Sequence, residues 1–316
     1  MATNLIDEGM QAVEEQLFSI VESDVDVLRE ASQHIISSGG KRIRPRLTLM
    51  AYVAAGGQDL ETAVNIASAL EMVHTATLVH DDINDHSLTR RGKITVHARW
   101  GRTFALLAGD YLFTKVYELM ASYGQVYNEI MAEACIKLVE GETLQAAVAK
   151  AGTMDRETYK KIIARKTASL FEAGANMAAR LAGADDGVID ALTIYAYNLG
   201  LTFQIVDDIL DIVGDPEKLG KPVGTDLAQN RGVLATQNGG TAVIEEESVA
   251  VATAVAEVDP FKAMMERLRN SGAVEVARLQ ALETAERARA ALTRVPPSPM
   301  RDELENLIDM VLNRDK

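Results

Sequence analysis

The chain has 316 residues, 47% of them apolar and 25% charged, so it can bury a sizeable core and is no disordered polymer. Its 32 lysines and arginines face 46 aspartates and glutamates, and the net charge of −14 excludes general nucleic-acid binding and charge-driven attachment to anionic lipid. One cysteine, Cys135, excludes a disulfide framework and a cysteine-based zinc site.

Residues Met1 to Glu8 carry neither a basic nor an apolar stretch, so no secretory signal is expected and a cytoplasmic location is. Ser38-Gly39-Gly40 ends an early helix. Between Pro45 and Pro216 there is no proline, and aromatic residues make up only 5% of the chain; both features favour long helices over strands. Ile130, Ala134, Leu138 and Leu144 mark one apolar helix face, with Glu133, Lys137, Glu140 and Glu142 at polar positions. A helix is expected from Asp155, with Glu157 in its first turn, to about Gly183. Another is expected from Asp185 or Asp186 to Gly214-Asp215-Pro216. Its uncharged run, Ala191 to Val206, is broken by polar residues and is too short to span a bilayer, so no integral membrane segment is expected. Pro296-Pro297-Ser298-Pro299 sets off a last short helix. With no repeat, low-complexity tract or linker, residues 1–316 read as one all-α domain, a bundle of long helices.

Two acidic clusters interrupt apolar helix. The first contains Asp81, Asp82 and Asp85 after Leu78 and Val79; the second contains Asp207, Asp208 and Asp211 after Phe203, Ile205 and Val206. Positions i, i+1 and i+4 share about one-third of a helix circumference, so each cluster gathers three carboxylates on one face. An N-cap accounts for one aspartate rather than three, and a solvated face needs polar flanks. Two clusters of the same DDxxD spacing point to a divalent cation, and Mg²⁺ suits few carboxylates completed by water and phosphate oxygens. An EF-hand is excluded because its ligands sit on a glycine-containing loop. The His80-Asp81 doublet resembles the pair of some metal phosphohydrolases, a reading that leaves Asp82, Asp85 and the second cluster unused.

Basic residues stand close to the aspartates in sequence. Lys41, Arg42, Arg44 and Arg46 follow the glycine pair, and Arg90, Arg91 and Lys93 follow the first cluster. Each island alone reads as a solvated turn; beside the aspartates they suggest a diphosphate site, with Lys166 and Lys221 as further candidates. His74, two turns before Asp81 on the same face, is equally readable as a packing residue. The residues therefore suggest a helical protein holding phosphorylated molecules whose remainder is hydrocarbon.

These motifs in combination resemble the trans-isoprenyl diphosphate synthases, the polyprenyl synthetases, from about Gly39 to Gly224 and more weakly near the C-terminus. They are Gly39 to Pro45, His80 to Asp85 with Arg90-Arg91-Gly92, Ala108-Gly109-Asp110-Tyr111-Leu112, Arg165 to Ala168, Phe203 to Asp211, and Gly220 to Asp226. The resemblance implies helices around a deep central cavity, a homodimer, and at most transient membrane contact for product release. It implies about three Mg²⁺ ions on Asp81, Asp82, Asp85 and Asp207, and more distantly Asp208 and Asp211. It implies further that Arg90, Lys166 and Lys221 contact the allylic diphosphate, that Lys41, Arg44, His74 and Arg91 hold isopentenyl diphosphate, and that Thr167 and Gln204 line the reaction centre. The reaction implied is ionisation, condensation and elimination.

In this family large side chains four and five residues before the first cluster block elongation. Here those positions are Thr77 and Ala76, both small, which implies a long-chain product, with geranylgeranyl diphosphate second. Met72 and Phe113 are readable either as a cavity floor or as ordinary core. A non-catalytic subunit of a heteromeric synthase usually lacks one or both clusters, and a cyclase or hydrolase needs no second DDxxD. The chain departs from the family pattern after Asp226, where Asn230-Arg231-Gly232-Val233-Leu234-Ala235 replaces the usual Gly-Lys and Thr-Leu-Pro; Gln237 to Thr241 then reads as a turn. Arg314-Asp315-Lys316 resembles a basic tail that the family can fold over its site, and reads equally as a charged terminus.

Overall fold

The computed structural model describes residues 2–151, 154–213 and 272–314. Their regular backbone is almost all helical: α1 (Ala2–Ile20), α2 (Asp26–Ile36), α3 (Ile43–Ala54), α4 (Glu61–Asn84), α5 (Val96–Trp100), α6 (Arg102–Met120) and α7 (Gln125–Ala151). There follow α8 (Arg156–Ile163), α9 (Ser169–Leu181), α10 (Asp186–Val213), α11 (Ala273–Leu292) and α12 (Pro299–Leu312). None of the described helices is long and apolar enough to cross a membrane.

Local chemistry explains most of the boundaries. Gly39 and Gly40 take φ of 74° and 147° just after α2, backbone that glycine adopts without a Cβ clash. Asp155 caps α8 by accepting the Thr158 N–H at 2.8 Å. The Ser298 hydroxyl accepts the Arg301 N–H at 3.1 Å, and Pro299 opens α12 where a missing N–H costs nothing.

Two features depart from the expectation of uninterrupted helices. The helix starting at Asp155 is broken at Ala164–Ala168 by a π turn, which separates α8 from α9. A Cβ on Gly141 of α7 would stand 2.7 Å from the Lys166 backbone nitrogen, and one on Gly200 of α10 would stand 2.8 Å from the Ala168 Cα. Close backbone approach from two other helices thus surrounds the widened turn, and nothing in its own sequence signals it. The second feature is a small antiparallel hairpin, β1 (Thr89–Arg90) with β2 (Lys93–Ile94), in register Thr89–Ile94 and Arg90–Lys93. Its turn residues Arg91 and Gly92 have φ of 51° and 76°, the type I′ sign pattern that matches strand twist.

Helix α4 is buried around most of its circumference, from Ala63 through Leu70 and Ala76 to Ile83, and packs against α1, α3, α5, α6 and α9. Helix α10 packs against α9, α11, α12 and the π turn, so α9 contacts both aspartate-bearing helices. A second, smaller apolar cluster lies under the second set of aspartates and joins Tyr159, Ile162 and Ile163 of α8 to Ile205, Val206, Ile209 and Ile212 of α10. Each large side chain buried there contributes roughly 1.5–3 kcal/mol toward holding α8 and α10 in register.

Candidate active site

The C-terminal turns of α4 present the first carboxylates. Asp82 is 1% exposed. Its Oδ1 accepts the Arg90 Nε–H at 2.7 Å, while Oδ2 is buried with no hydrogen-bond partner. Burial pushes the Asp82 carboxyl up, against the pull of Arg90. Asp81 is raised to about 6, chiefly by burial; Lys166 opposes the shift, and Glu142 and Asp85 add to it. Asp85 caps the C-terminus of α4, its N–H donating to the Asp81 carbonyl at 2.8 Å.

On α10 the second cluster divides by depth. Asp207 is half-exposed and its Oδ1 lies 3.2 Å from Nη2 of Arg314. That guanidinium sits 4.0 Å over the Phe203 ring and donates to the Phe203 carbonyl at 2.6 Å, so the residue just after α12 lies folded onto the cluster. Asp208 and Asp211 are buried. Asp208 accepts the Tyr159 hydroxyl at 2.7 Å on Oδ2 and the Gln204 amide at 2.8 Å on Oδ1; Gln204 Oε1 in turn accepts the Thr167 hydroxyl at 2.7 Å.

The π turn carries Lys166 as well as Thr167. Lys166 Nζ lies 2.6 Å from Glu142 and donates to Gln145 Oε1 at 3.0 Å, both on α7. Glu142, Gln145 and Tyr159 were not singled out by the sequence reading, in which Glu142 was only a polar helix position. The available signal was Gly141, a helix-interior glycine that costs stability unless a backbone must come close.

The island after α2 separates into different roles. Arg42 caps α3 in the left-handed region at φ 47°. It pairs with Glu14 at 2.6 Å and buried Glu71 at 2.8 Å, and donates to the Ile36 carbonyl at 2.9 Å, so it ties α1, α2 and α4 together. Arg46 pairs with Asp7 at 3.0 Å. Lys41 is exposed, and Arg44 is partly buried with its guanidinium 5.1 Å from the Phe171 ring centre. Arg91 donates to the Gly39 carbonyl, and a side chain on Gly40 would collide with its guanidinium. Lys93 is taken up by the end of α2, its Nζ donating to the Ser37 carbonyl at 2.7 Å.

His74 is where the cations converge. Burial, then Arg44, Arg91, Arg90 and Arg42 in that order, hold its imidazole well below the usual histidine value, so it is neutral and embedded in positive potential. Arg44 itself is lowered by burial, with Arg91 adding to the shift.

His80 turns away from its aspartate neighbours. Its Nε2 lies 3.6 Å from Asp110, and its ring stacks on Phe113 of α6 at 6.1 Å between centroids. His80 therefore engages α6 rather than the aspartate that follows it. Phe113 packs against the main core as well as His80. Ala76 is fully buried, and Thr77 is partly exposed with its hydroxyl donating to the His74 carbonyl at 2.8 Å. Lys221 and the divergent run from Asn230 to Thr241 lie outside the described residues.

Among the described residues no group of three or more His, Cys, Asp and Glu side chains converges as a ready metal cage. The donor set still fits Mg²⁺, which takes one or two carboxylates and completes its shell with water and phosphate oxygens. The buried, unpartnered Oδ2 of Asp82 is an acceptor that such an ion would satisfy.

The chain is similar in sequence and in fold to known proteins. Residues 25–239 match the family model described as polyprenyl synthetase. The octaprenyl diphosphate synthase of Escherichia coli is 35% identical over 313 residues, covering 98% of this chain and 97% of that one. A short chain isoprenyl diphosphate synthase of Methanothermobacter thermautotrophicus is 36% identical over 304 residues, covering 94% and 93%. The crystal structure of a polyprenyl synthase from Caulobacter crescentus, complexed with calcium and isoprenyl diphosphate, superposes with a TM-score of 0.87 at 32% identity, covering 99% of this chain and 97% of that one.

Proposed function

The chain belongs to the polyprenyl synthetase family of trans-isoprenyl diphosphate synthases, and on that premise we propose that it condenses isopentenyl diphosphate with farnesyl or geranylgeranyl diphosphate into a long-chain all-trans polyprenyl diphosphate. The observation that carries this reading is the pairing of cations with both aspartate clusters, Arg90 Nε 2.7 Å from buried Asp82 on α4 and Arg314 Nη2 3.2 Å from Asp207 on α10. A diphosphate is the ligand that such opposed charges accept together.

Asp81, Asp82, Asp85 and Asp207 would hold Mg²⁺, with Asp208 and Asp211 behind them; when bound, the metal neutralises charge growing on the leaving diphosphate. Lys166 and Arg90 already face this region, and each is lent to a carboxylate, Glu142 and Asp82 respectively, from which it can turn to phosphate oxygens. Lys41, Arg44, Arg91 and His74 would hold the diphosphate of the second substrate, His74 remaining a neutral hydrogen-bonding group. The Thr167 hydroxyl donates a hydrogen bond to Gln204 Oε1, which leaves the oxygen lone pairs of Thr167 to stabilise the allylic cation. Carbon–carbon bond formation then places the cation on the new chain. Loss of a proton, for which the departed diphosphate is the acceptor at hand, restores an allylic product.

The working unit is proposed to be a single-domain homodimer. Helices α6 and α7 expose Phe104, Leu107, Tyr117, Val126, Ile136 and Val139, an apolar surface that a second copy of the chain would cover. Product length is read from small residues at 76 and 77. A geranylgeranyl product is the second reading, because one of the relatives just compared makes octaprenyl diphosphate and another is a short-chain enzyme.

The test is incubation with Mg²⁺, labelled isopentenyl diphosphate and farnesyl diphosphate, followed by sizing of the dephosphorylated product. Chains longer than geranylgeranyl support the full reading. A stop at geranylgeranyl keeps the enzyme and removes the long-chain assignment. Binding without turnover points to a subunit that needs a partner, and diphosphate release without incorporation to a hydrolase or cyclase.

A further inference from the structure

We infer that Tyr159 is a positioning residue for this condensation, holding Asp208 and, through it, turning the Gln204 amide so that its oxygen faces the Thr167 hydroxyl. The inference rests on the prenyl-transfer reading and assigns a role to a residue outside the aspartate and cation motifs. Four side chains from three elements form one line. Tyr159 of α8 donates to Asp208 Oδ2 at 2.7 Å, Gln204 Nε2 donates to Asp208 Oδ1 at 2.8 Å, and Thr167 of the π turn donates to Gln204 Oε1 at 2.7 Å.

The order of donors fixes the direction of every group in the line. A carboxylate only accepts, so the Gln204 end facing Asp208 must be the NH₂ end. The carbonyl end then faces Thr167, whose hydroxyl must donate. Were Asp208 free to rotate, Gln204 could turn over, and Thr167 would have to accept, using a lone pair otherwise available to positive charge. Tyr159 blocks that alternative by occupying the second carboxylate oxygen.

Burial makes the line costly to disturb. Tyr159 is 2% exposed, Thr167 3% and Asp208 5%, so none of them exchanges a lost partner for bulk water. The frame around them is close-fitting: Gly141 and Gly200 admit the backbone of the π turn, and the apolar cluster of Ile162, Ile163, Ile205 and Ile209 surrounds the Tyr159 ring's end of the line. A tyrosine present only for packing would not need a hydroxyl aimed at a buried carboxylate; phenylalanine would fill the same space.

The experiment compares wild type, Tyr159→Phe, Asp208→Asn and the double variant in steady-state elongation, thermal melting and ¹⁵N spectra of the Gln204 side-chain amide. Elongation by the wild type is read first, and its absence sinks the prenyl-transfer reading rather than the positioning role. Given elongation, Tyr159→Phe is expected to lower kcat about tenfold or more, the loss of one hydrogen bond to a buried charge. KM for both diphosphates should stay within about twofold, the fold should remain intact by melting, and the Gln204 NH₂ signals should move in the metal-free protein. Adding Tyr159→Phe to Asp208→Asn should cost little more, because both act through one line. An unchanged kcat overturns the inference. So does a loss additive with Asp208→Asn, or a Gln204 amide spectrum identical to wild type; the spectrum decides the matter even for a variant of weakened stability.

Discussion

The imidazole of His80 occupies the space that a side chain at position 109 would need: a Cβ on Gly109 would stand 2.2 Å from His80 Nε2. This pairing gives the glycine of Ala108-Gly109-Asp110 a physical reason, the docking of α4 on α6. Gly109→Ala should gain about 0.5–1 kcal/mol in helix propensity and lose about 1–3 kcal/mol to overpacking, a net destabilisation in urea titration. Combining it with His80→Ala should recover much of that loss. Equal stabilities of Gly109→Ala and wild type would contradict the close contact.

Neighbouring cations in one motif should behave oppositely. Arg42→Ala leaves Glu71, 3% exposed, without its guanidinium; removing one partner of a buried pair costs about 3–5 kcal/mol, enough to threaten folding. Lys41→Ala should leave the melting temperature nearly unchanged and raise KM for isopentenyl diphosphate roughly tenfold. Similar melting curves for the two variants would refute the division of roles.

The His74 environment sets a pH dependence. Its folded value lies well below 6.5 because of burial and then the surrounding arginines. As pH falls through 6.5 the unfolded chain takes up a proton that the folded chain refuses, so folded stability declines toward acid. The slope from this one group reaches at most about 1.4 kcal/mol per pH unit. His74→Gln should therefore lose less stability than wild type between pH 7 and pH 5. Parallel stability curves over that window would show that His74 titrates normally.

Arg314 acts as a built-in counter-ion for Asp207. Removing it by Arg314→Ala leaves three carboxylates of α10 less neutralised, so the metal-free protein should melt lower. Added Mg²⁺ should then raise its melting temperature by more than it raises that of wild type, by mass action on a site with less competition. Equal increments in thermal-shift titrations would separate Arg314 from the cation site.

Thr77, partly exposed, accepts enlargement more readily than fully buried Ala76. Thr77→Phe should shorten the product by one or more isoprene units with the fold intact, whereas Ala76→Phe should also cost about 1–3 kcal/mol in overpacking. Unaltered product length in a stable Thr77→Phe variant would take chain-length control away from this turn of α4.

Much of this architecture was legible locally. Helix periodicity, the absence of proline, Asp155 as a helix start, the Pro296 to Pro299 break and Gly39-Gly40 as a stop all act over a few residues, where spacing and backbone sterics suffice. The two DDxxD clusters belong to the same class, since i, i+1 and i+4 share a face in any helix. The family resemblance supplied the likeness of Lys41, Arg44, His74 and Arg91 to substrate-binding positions.

What only the tertiary structure decided depends on contacts between distant segments. Arg42 and Arg44 look alike in sequence, yet one pairs with buried Glu71 of α4 and the other stands over Phe171. His80 turned to α6 because Gly109 makes room there, and the π turn at Lys166 lies where Gly141 and Gly200 let two other helices approach. Tyr159 meets Asp208 from a separate helix, through the apolar packing of α8 on α10. In each case the sequence names a side chain and its helix face, while the close approach of a second backbone determines which group that side chain can reach.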